Sequence, residues 1–335
     1  MTNYRDINAL NQSSLKKILE SPKAYLDSIQ QTDNSEQSHF VFGSVLDLML
    51  TGTREEFYEK YVRLDESSFP TEKVKLVVDG VFRDADLVDE EVKSLDSYKD
   101  LILQHCNYDG YQSNWKDETR VEKIITQGSE YFELLSDIKG KTIISELDYS
   151  LAVNCKAAMA SDKFTKPYVV KSEGVEFWDK FIVEFTWEGL NIKGELDRVV
   201  INHKEKTITP IDFKTTGKTV NSFNSDFWYY RYDFQAAVYK YGLTLNSSIV
   251  NYLDQGYKLE NFLYIVVEKL LKNNPMIFEV PQKVIDIGFN GGVLSNQREL
   301  EGFVQAIFRY KFASENDTWE YPREYYIKGR LDIKI

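Results

Sequence analysis

Asp212 and Lys214 stand two residues apart in the segment Ile211-Asp212-Phe213-Lys214-Thr215-Thr216. On a strand that spacing turns both side chains to one face. Asp197 closes the segment Gly194-Glu195-Leu196-Asp197-Arg198, which reads as the strand alongside. Two carboxylates and an ammonium gathered at strand ends cost stability unless a cation joins them. Phosphodiester hydrolysis needs such a group, because the attacking water must lose a proton while charge grows on the phosphoryl and leaving oxygens. Mg²⁺ meets both needs when a couple of carboxylates hold it and water and phosphate complete its shell; Mn²⁺ is the alternative. Asp197 and Asp212 suit the metal-ligand role, with the Phe213 carbonyl as a third oxygen. Lys214 suits orienting the water or stabilising developing negative charge. The same residues also have plainer readings. Asp197 and Arg198 could be neighbouring strand-end charges, and Asp212 and Lys214 an exposed ion pair of little worth.

The elements that would position these groups change character along the chain. Residues 11 to 31 read as two short helices, with Ser21-Pro22 closing one and opening the next. His39 to Leu50 is an apolar helix, residues 54 to 62 continue helically, and a helical pattern runs from 70 to 162. Within it lie Val121 to Leu135 and Ser145 to Met159, the latter capped by Ser145. After Lys166-Pro167 the period becomes alternating. Residues 175 to 187 and 190 to 202 read as a hairpin turning at Glu188-Gly189, followed by a strand over about 207 to 214. A helix spans 226 to 245, strands 261 to 267 and 277 to 280 flank an Asn273-Asn274-Pro275 turn, and a last helix covers about 295 to 312. The expectation is an α/β (α+β) chain with a mixed central sheet and a helical N-terminal half. With no flexible linker visible, residues 1–335 read as one compact unit, comprising a helical part at 1–165, an α/β core at 166–315 and a tail at 316–335.

Composition narrows the class. Hydrophobic residues make up 42% and aromatics 14% of the chain, which argues for an ordered globular protein. No stretch approaches the length of a membrane helix and no secretory pattern opens the chain, so a cytoplasmic protein is expected. The net charge of −12 speaks against a polyanionic partner. However, residues 65 to 105 alone carry 11 acidic and 5 basic groups, whereas 190 to 218 carry 6 basic and 4 acidic. The acidic excess reads as a solvated helical face, with a DNA-mimicking surface as the sharper alternative. Cys106 and Cys155 cannot form a four-cysteine zinc or iron–sulfur site. His39, His105 and His203 are scattered and read as surface or packing residues.

An Asp followed, after a variable gap, by (D/E)-x-K on the adjacent strand resembles the PD-(D/E)xK nuclease superfamily. The surroundings sharpen this. Gly194 to Arg198, then Asp212-Phe213-Lys214-Thr215-Thr216, then an aromatic run into Gln235-Ala236-Ala237-Val238-Tyr239 are similar to the phage and prophage exonucleases of the RecE (exonuclease VIII) group. RecB-type nuclease domains and lambda exonuclease are more distant. Ser13-Ser14-Leu15 through Ser21-Pro22 to Tyr25, Phe42-Gly43-Ser44 with Leu46, and Gly140 to Ser145 match in order, so the likeness runs from about residue 10 to Trp319. It implies a restriction-endonuclease-like core, with Asp197 and Asp212 as metal ligands and Lys214 placing the water. Gln235 and Tyr239 would steady the site and contact DNA, with Arg198 and Thr215 also on the substrate side; the plainer reading of Gln235 and Tyr239 is a polar cap over an aromatic core. Many relatives carry His four residues after the helical glycine, where this chain has Asp47, which could still hold the metal. Among Glu173, Glu176, Asp179 and Glu195, Glu176 is favoured as a further ligand, because this superfamily often places a carboxylate on the preceding strand. In the aromatic run 227 to 234, Trp228 or Arg231 could face DNA. The implied activity is a Mg²⁺-dependent DNA exonuclease without an iron–sulfur cluster. Such an enzyme would resect duplex ends in recombination beside a single-strand annealing protein, as a homo-oligomer. A catalytically silent binding module and a structure-specific endonuclease are the competing functions.

Overall fold

A computed structural model describes residues 4–30, 38–64, 69–88, 92–138, 140–331 and 333. The chain forms two compact units, one of residues 1–52 and 152–335, the other of 53–151. The stretch 1–165 is therefore divided between them. The first unit opens with a short strand β1 (Leu10–Asn11), then α1 (Gln12–Glu20), α2 (Pro22–Gln30) and α3 (Ser38–Thr51). Asn11 caps α1 by accepting from the Ser14 amide at 2.8 Å. Ser21 accepts from the Ala24 amide at 2.9 Å, with Pro22 at the first position of α2. The side chain of His39 lies outside the described residues.

The second unit contains α4 (Arg54–Lys60), β2 (Tyr61–Leu64), α5 (Glu72–Val88), α6 (Lys99–Tyr108), α7 (Asp117–Asp137) and β3 (Thr142–Ser145), and it ends within α8 (Glu146–Ser161). A capping box of Thr53 and Glu56 starts α4. Helix α4 stops at Lys60 rather than continuing to 62, because Tyr61 to Leu64 pair in parallel with β3. Val74, Val77, Val78 and Val81 of α5 pack with Ile102, Ile124 and Phe132 as this unit's core. His105 is buried there against Asp84 at 2.8 Å.

The sheet belongs to the first unit. After the single turn α9 (Lys166–Val169) come β4 (Val175–Trp187), β5 (Leu190–Asn202) and β6 (Thr207–Thr216). Glu188 and Gly189 both take left-handed φ, 51° and 80°, as a two-residue hairpin turn requires. That turn pairs Trp187 with Leu190 and fixes every pair further out. Next come α10 (Phe223–Tyr229), α11 (Tyr232–Leu245), α12 (Ser247–Asp254), β7 (Lys258–Leu259), β8 (Phe262–Glu268) and β9 (Met276–Val280). The strands run β4–β5–β6–β8–β9. The short β1 extends β5 in parallel, and β7 pairs in parallel with β6 beside β8. Every residue of β8 is buried, as a strand covered on both faces should be. The mixed sheet is therefore as expected.

Two helices differ from the sequence expectation. The stretch 226 to 245 breaks at Arg231, whose φ is +56°. There its guanidinium binds Asp233 at 2.9 Å and the Glu301 carbonyl at 2.6 Å, fixing the corner. The last long helix begins at Phe303, not near 295. Before it lie α13 (Gln282–Asn290) and a hairpin of β10 (Gly292–Val293) and β11 (Glu299–Leu300), followed by α14 (Phe303–Asn316) and α15 (Arg323–Lys328). Helix α11 packs on the core formed by Val183, Leu196, Val199 and Tyr264. Both cysteines are free and buried, and burial lifts each thiol to about 11.

Candidate active site

Strand β6 carries Asp212 and Lys214 on one face, as their spacing requires. They form an ion pair in which Asp212 is almost sealed from solvent. The Asp212 Oδ2 atom accepts from Gln235 Nε2 at 3.1 Å, and Gln235 Oε1 lies 3.2 Å from the Tyr264 hydroxyl. Gln235 Nε2 also lies 3.4 Å from the Tyr239 hydroxyl. One helical turn on α11 thus places an amide and a phenol behind the carboxylate. Lys214 Nζ stands 4.9 Å from the Tyr232 ring centroid, an aromatic face turned to the cation.

Asp197 reaches the same place from β5. Its Oδ2 accepts from the Phe213 amide at 2.8 Å, just beyond the last pair between β5 and β6, Arg198 with Ile211. A strand residue turns its N–H and C=O to one side, so the Phe213 carbonyl also faces the edge that β5 has left. Asp47 arrives from α3. Gly43, one turn earlier on that helix, faces β6: a β-carbon there would stand 3.4 Å from Thr215 Oγ1.

Lys180 is the site residue that the sequence reading missed. Its ammonium bridges Asp47 Oδ2 and Asp197 Oδ1, the latter at 3.3 Å. It stands across from Asp197, between the pairs Asp179 with Arg198 and Phe181 with Leu196. Its φ of +50° is a conformation that non-glycine residues rarely adopt, and such strain gathers at functional sites. The signal that could have found it was the hairpin register. Counting outward from Glu188-Gly189 places residue 180 opposite 197.

The same count removes Glu176. It pairs with Ile201, four residues along β5 from Asp197, and binds His203 at 2.9 Å and Trp178 Nε1 at 3.2 Å. At about 3.4 Å per residue that is on the order of 13 Å away. Arg198 is corrected too. It is buried, and its guanidinium is consumed by Asp179 at 2.5 Å and by the carbonyls of Tyr168 and Leu50 at 2.8 Å and 2.5 Å. It ties α3 and α9 to the sheet, with three of its five N–H donors engaged there. Gln235 and Tyr239 are likewise buried, Gln235 bonded to Asp212 and Tyr239 beside Gln235. Glu173 is exposed in the loop before β4, Asp179 is taken by Arg198, and the charge of Glu195 acts on Lys180 and Tyr4.

The electrostatics favour one more positive charge. Among the described residues, Asp47, Asp197 and Asp212 face two ammonium groups, Lys180 and Lys214. Burial raises Asp212 to about 7 despite Lys214, and the Asp197 charge adds to the rise. Burial and then Asp197 raise Asp47 to about 6. Burial pulls both lysines down, but Asp197 and Asp47 outweigh it at Lys180, as Asp212 does at Lys214, so both remain firmly protonated. Asp212 Oδ1 is sealed from solvent, with the Lys214 ammonium directly against it. Three carboxylates gathered round two ammonium groups fit a divalent cation. Among the described residues no three Asp, Glu, His or Cys side chains form a ready-made cage. Mg²⁺ does not require one, since it keeps several waters and takes one or two carboxylates.

Gly194 explains itself here. A β-carbon on it would lie 2.6 Å from Tyr239 Cε1. Gly194→Ala is expected to displace that ring and cost about 1–3 kcal/mol of stability, read by denaturant unfolding. Activity should fall with it, since Gln235 loses its phenol neighbour.

A mixed sheet with an acid–lysine pair on one strand and an Asp on the next defines a protein of the restriction-endonuclease-like class. A family model described as "PDDEXK-like domain of unknown function (DUF3799)" matches residues 11–301, and the chain belongs to that family. Among curated proteins, none matches. A crystal structure from Eubacterium rectale, named "Putative exonuclease", is 14% identical, covers 84% of this chain and 95% of its own, and superposes with a TM-score of 0.36. So loose a likeness carries no argument. No helix among the described residues is long and apolar enough to cross a membrane.

Proposed function

We propose that the protein is a divalent-metal-dependent deoxyribonuclease, acting as an exonuclease from duplex ends. The observation that carries this reading is the convergence of Asp47, Asp197 and Asp212 on two ammonium groups, with Asp212 almost sealed from solvent. Asp197, Asp212 and the Phe213 carbonyl would hold Mg²⁺ or Mn²⁺, with Asp47 beside them. A bound divalent ion makes the attacking water acidic and draws charge from the phosphoryl oxygens. Lys214 keeps its proton, so it donates to the attacking or phosphoryl oxygen and does not serve as the base. Gln235, locked by Tyr264, holds Asp212 in one rotamer. The likeness to the RecE group supports end resection in recombination, as a cytoplasmic homo-oligomer beside a single-strand annealing protein.

Linear duplex, nicked circle and covalently closed circle, each with Mg²⁺, Mn²⁺ or EDTA, test the reading. Linear DNA should disappear with metal and persist in EDTA, while the closed circle survives. Cutting of the closed circle would make the enzyme an endonuclease. Retained DNA binding with no hydrolysis under either metal would make it a silent module.

A further inference from the structure

Where α10 gives way to α11, Tyr229 and Tyr230 stand out from the surface, 76% and 48% exposed. Their rings meet edge to face, with centroids 4.9 Å apart. The other aromatics of this run turn inward: Phe227 is buried in the core, and Trp228 and Tyr232 pack against it. Arg231, tied to Asp233 and to the Glu301 carbonyl, is anchored as well. The corner it fixes holds the two exposed rings on a firm base.

Their surroundings point to an occupant. The Tyr230 ring is 5.8 Å from that of Tyr232, the ring that faces Lys214. The ledge is thus two aromatic steps from the hydrolytic cluster. Lys16 of α1 donates to the Tyr230 carbonyl at 2.8 Å. No carboxylate among the described residues forms an ion pair with it; burial first, then the like charges of Lys214, Lys17 and Arg231, pull its ammonium down to about 8, while Asp233 acts in the opposite sense. Lys218, paired with Asp226 at 2.8 Å, flanks the two phenols. Exposed rings among ammonium groups suit a flat, polyanionic ligand. Every nucleobase offers a π-face, and every backbone step offers a phosphate.

We propose that Tyr229 and Tyr230 form a stacking ledge for an unpaired base of the DNA strand, with Lys16 holding a phosphate between that base and the carboxylate cluster. This rests on the nuclease reading and adds to it how a strand end is gripped. The ledge favours a frayed or single-stranded terminus whatever its sequence.

The test is binding of a fluorescent single-stranded thymidine oligonucleotide and of its abasic counterpart, by anisotropy in EDTA. The protein should prefer the base-bearing strand by about five- to hundredfold. Tyr229→Ala with Tyr230→Ala should bring that ratio near one, and the paired Phe variants should keep it. Lys16→Met should weaken both strands alike and lower the salt dependence by about one counterion. An unchanged ratio in the double-alanine variant, or no preference in the wild type, overturns the ledge. The measurement needs no hydrolysis. A Tyr-dependent ratio in a protein that cleaves nothing therefore refutes the nuclease alone, and an active nuclease with an unaltered ratio refutes the ledge alone.

Discussion

Asp212→Asn should reduce kcat/KM on linear DNA by about a thousandfold or more, on the order of 4 kcal/mol of transition-state stabilisation. Asn still offers an oxygen to Gln235, so the pocket keeps its shape, but it brings no charge to a metal. The stability effect has a separate cause. Asn resembles the protonated carboxyl, the form that burial favours in the folded chain up to about pH 7. Without metal, Asp212→Asn should therefore match wild type in stability near pH 4 and exceed it near pH 8, which thermal unfolding at the two pH values will show. Activity within tenfold of wild type in Asp212→Asn would remove this carboxylate from the chemistry.

Divalent-metal affinity should climb steeply with pH. Asp212 at about 7 and Asp47 at about 6 both hold protons that a metal must displace. Affinity should rise on the order of a hundredfold between about pH 5.5 and 8, then level off. Calorimetric titration reads it directly, and Asp47→Asn should flatten the lower part of the curve. The metal-free protein behaves in the opposite sense. A carboxyl whose pKa is raised on folding binds its proton more tightly in the native state than in the unfolded chain. Its contribution to stability is present at low pH and is lost as pH rises from about 4 through 6 for Asp47 and 7 for Asp212. Wild type should thus lose stability relative to Asp47→Asn across about pH 4 to 6 without metal, and Mg²⁺ should reverse that trend near pH 8. A pH-independent affinity would mean that neither carboxylate gives up a proton to the ion.

Much of the sheet could be read from local pattern. The hairpin at Glu188-Gly189 emerges with the expected ends, because a two-residue turn between alternating segments permits one register. Helices α1 and α2 meet where expected, because Ser21 and Pro22 break and restart the chain by local bonds. The errors came where a distant contact decided. The α10–α11 break depends on the Glu301 carbonyl, some seventy residues on. The strand character of Tyr61 to Leu64 depends on β3. Arg198 looked like a substrate contact because its motif does not show that Leu50 and Tyr168 will absorb its donors.

The sequence alone determined the pair Asp212 and Lys214 on one strand face, since a period of two needs no tertiary information. It also brought Asp197 to the neighbouring strand, and the order of motifs indicated the nuclease-like family. Tertiary structure decided the rest of the cluster. Asp47 enters because α3 lies against β6, and Lys180 enters because β4 carries it across from Asp197. Charges on separate elements acquire their meaning only when packing removes the water between them. That burial is also what raises Asp47 and Asp212 far above ordinary carboxyls.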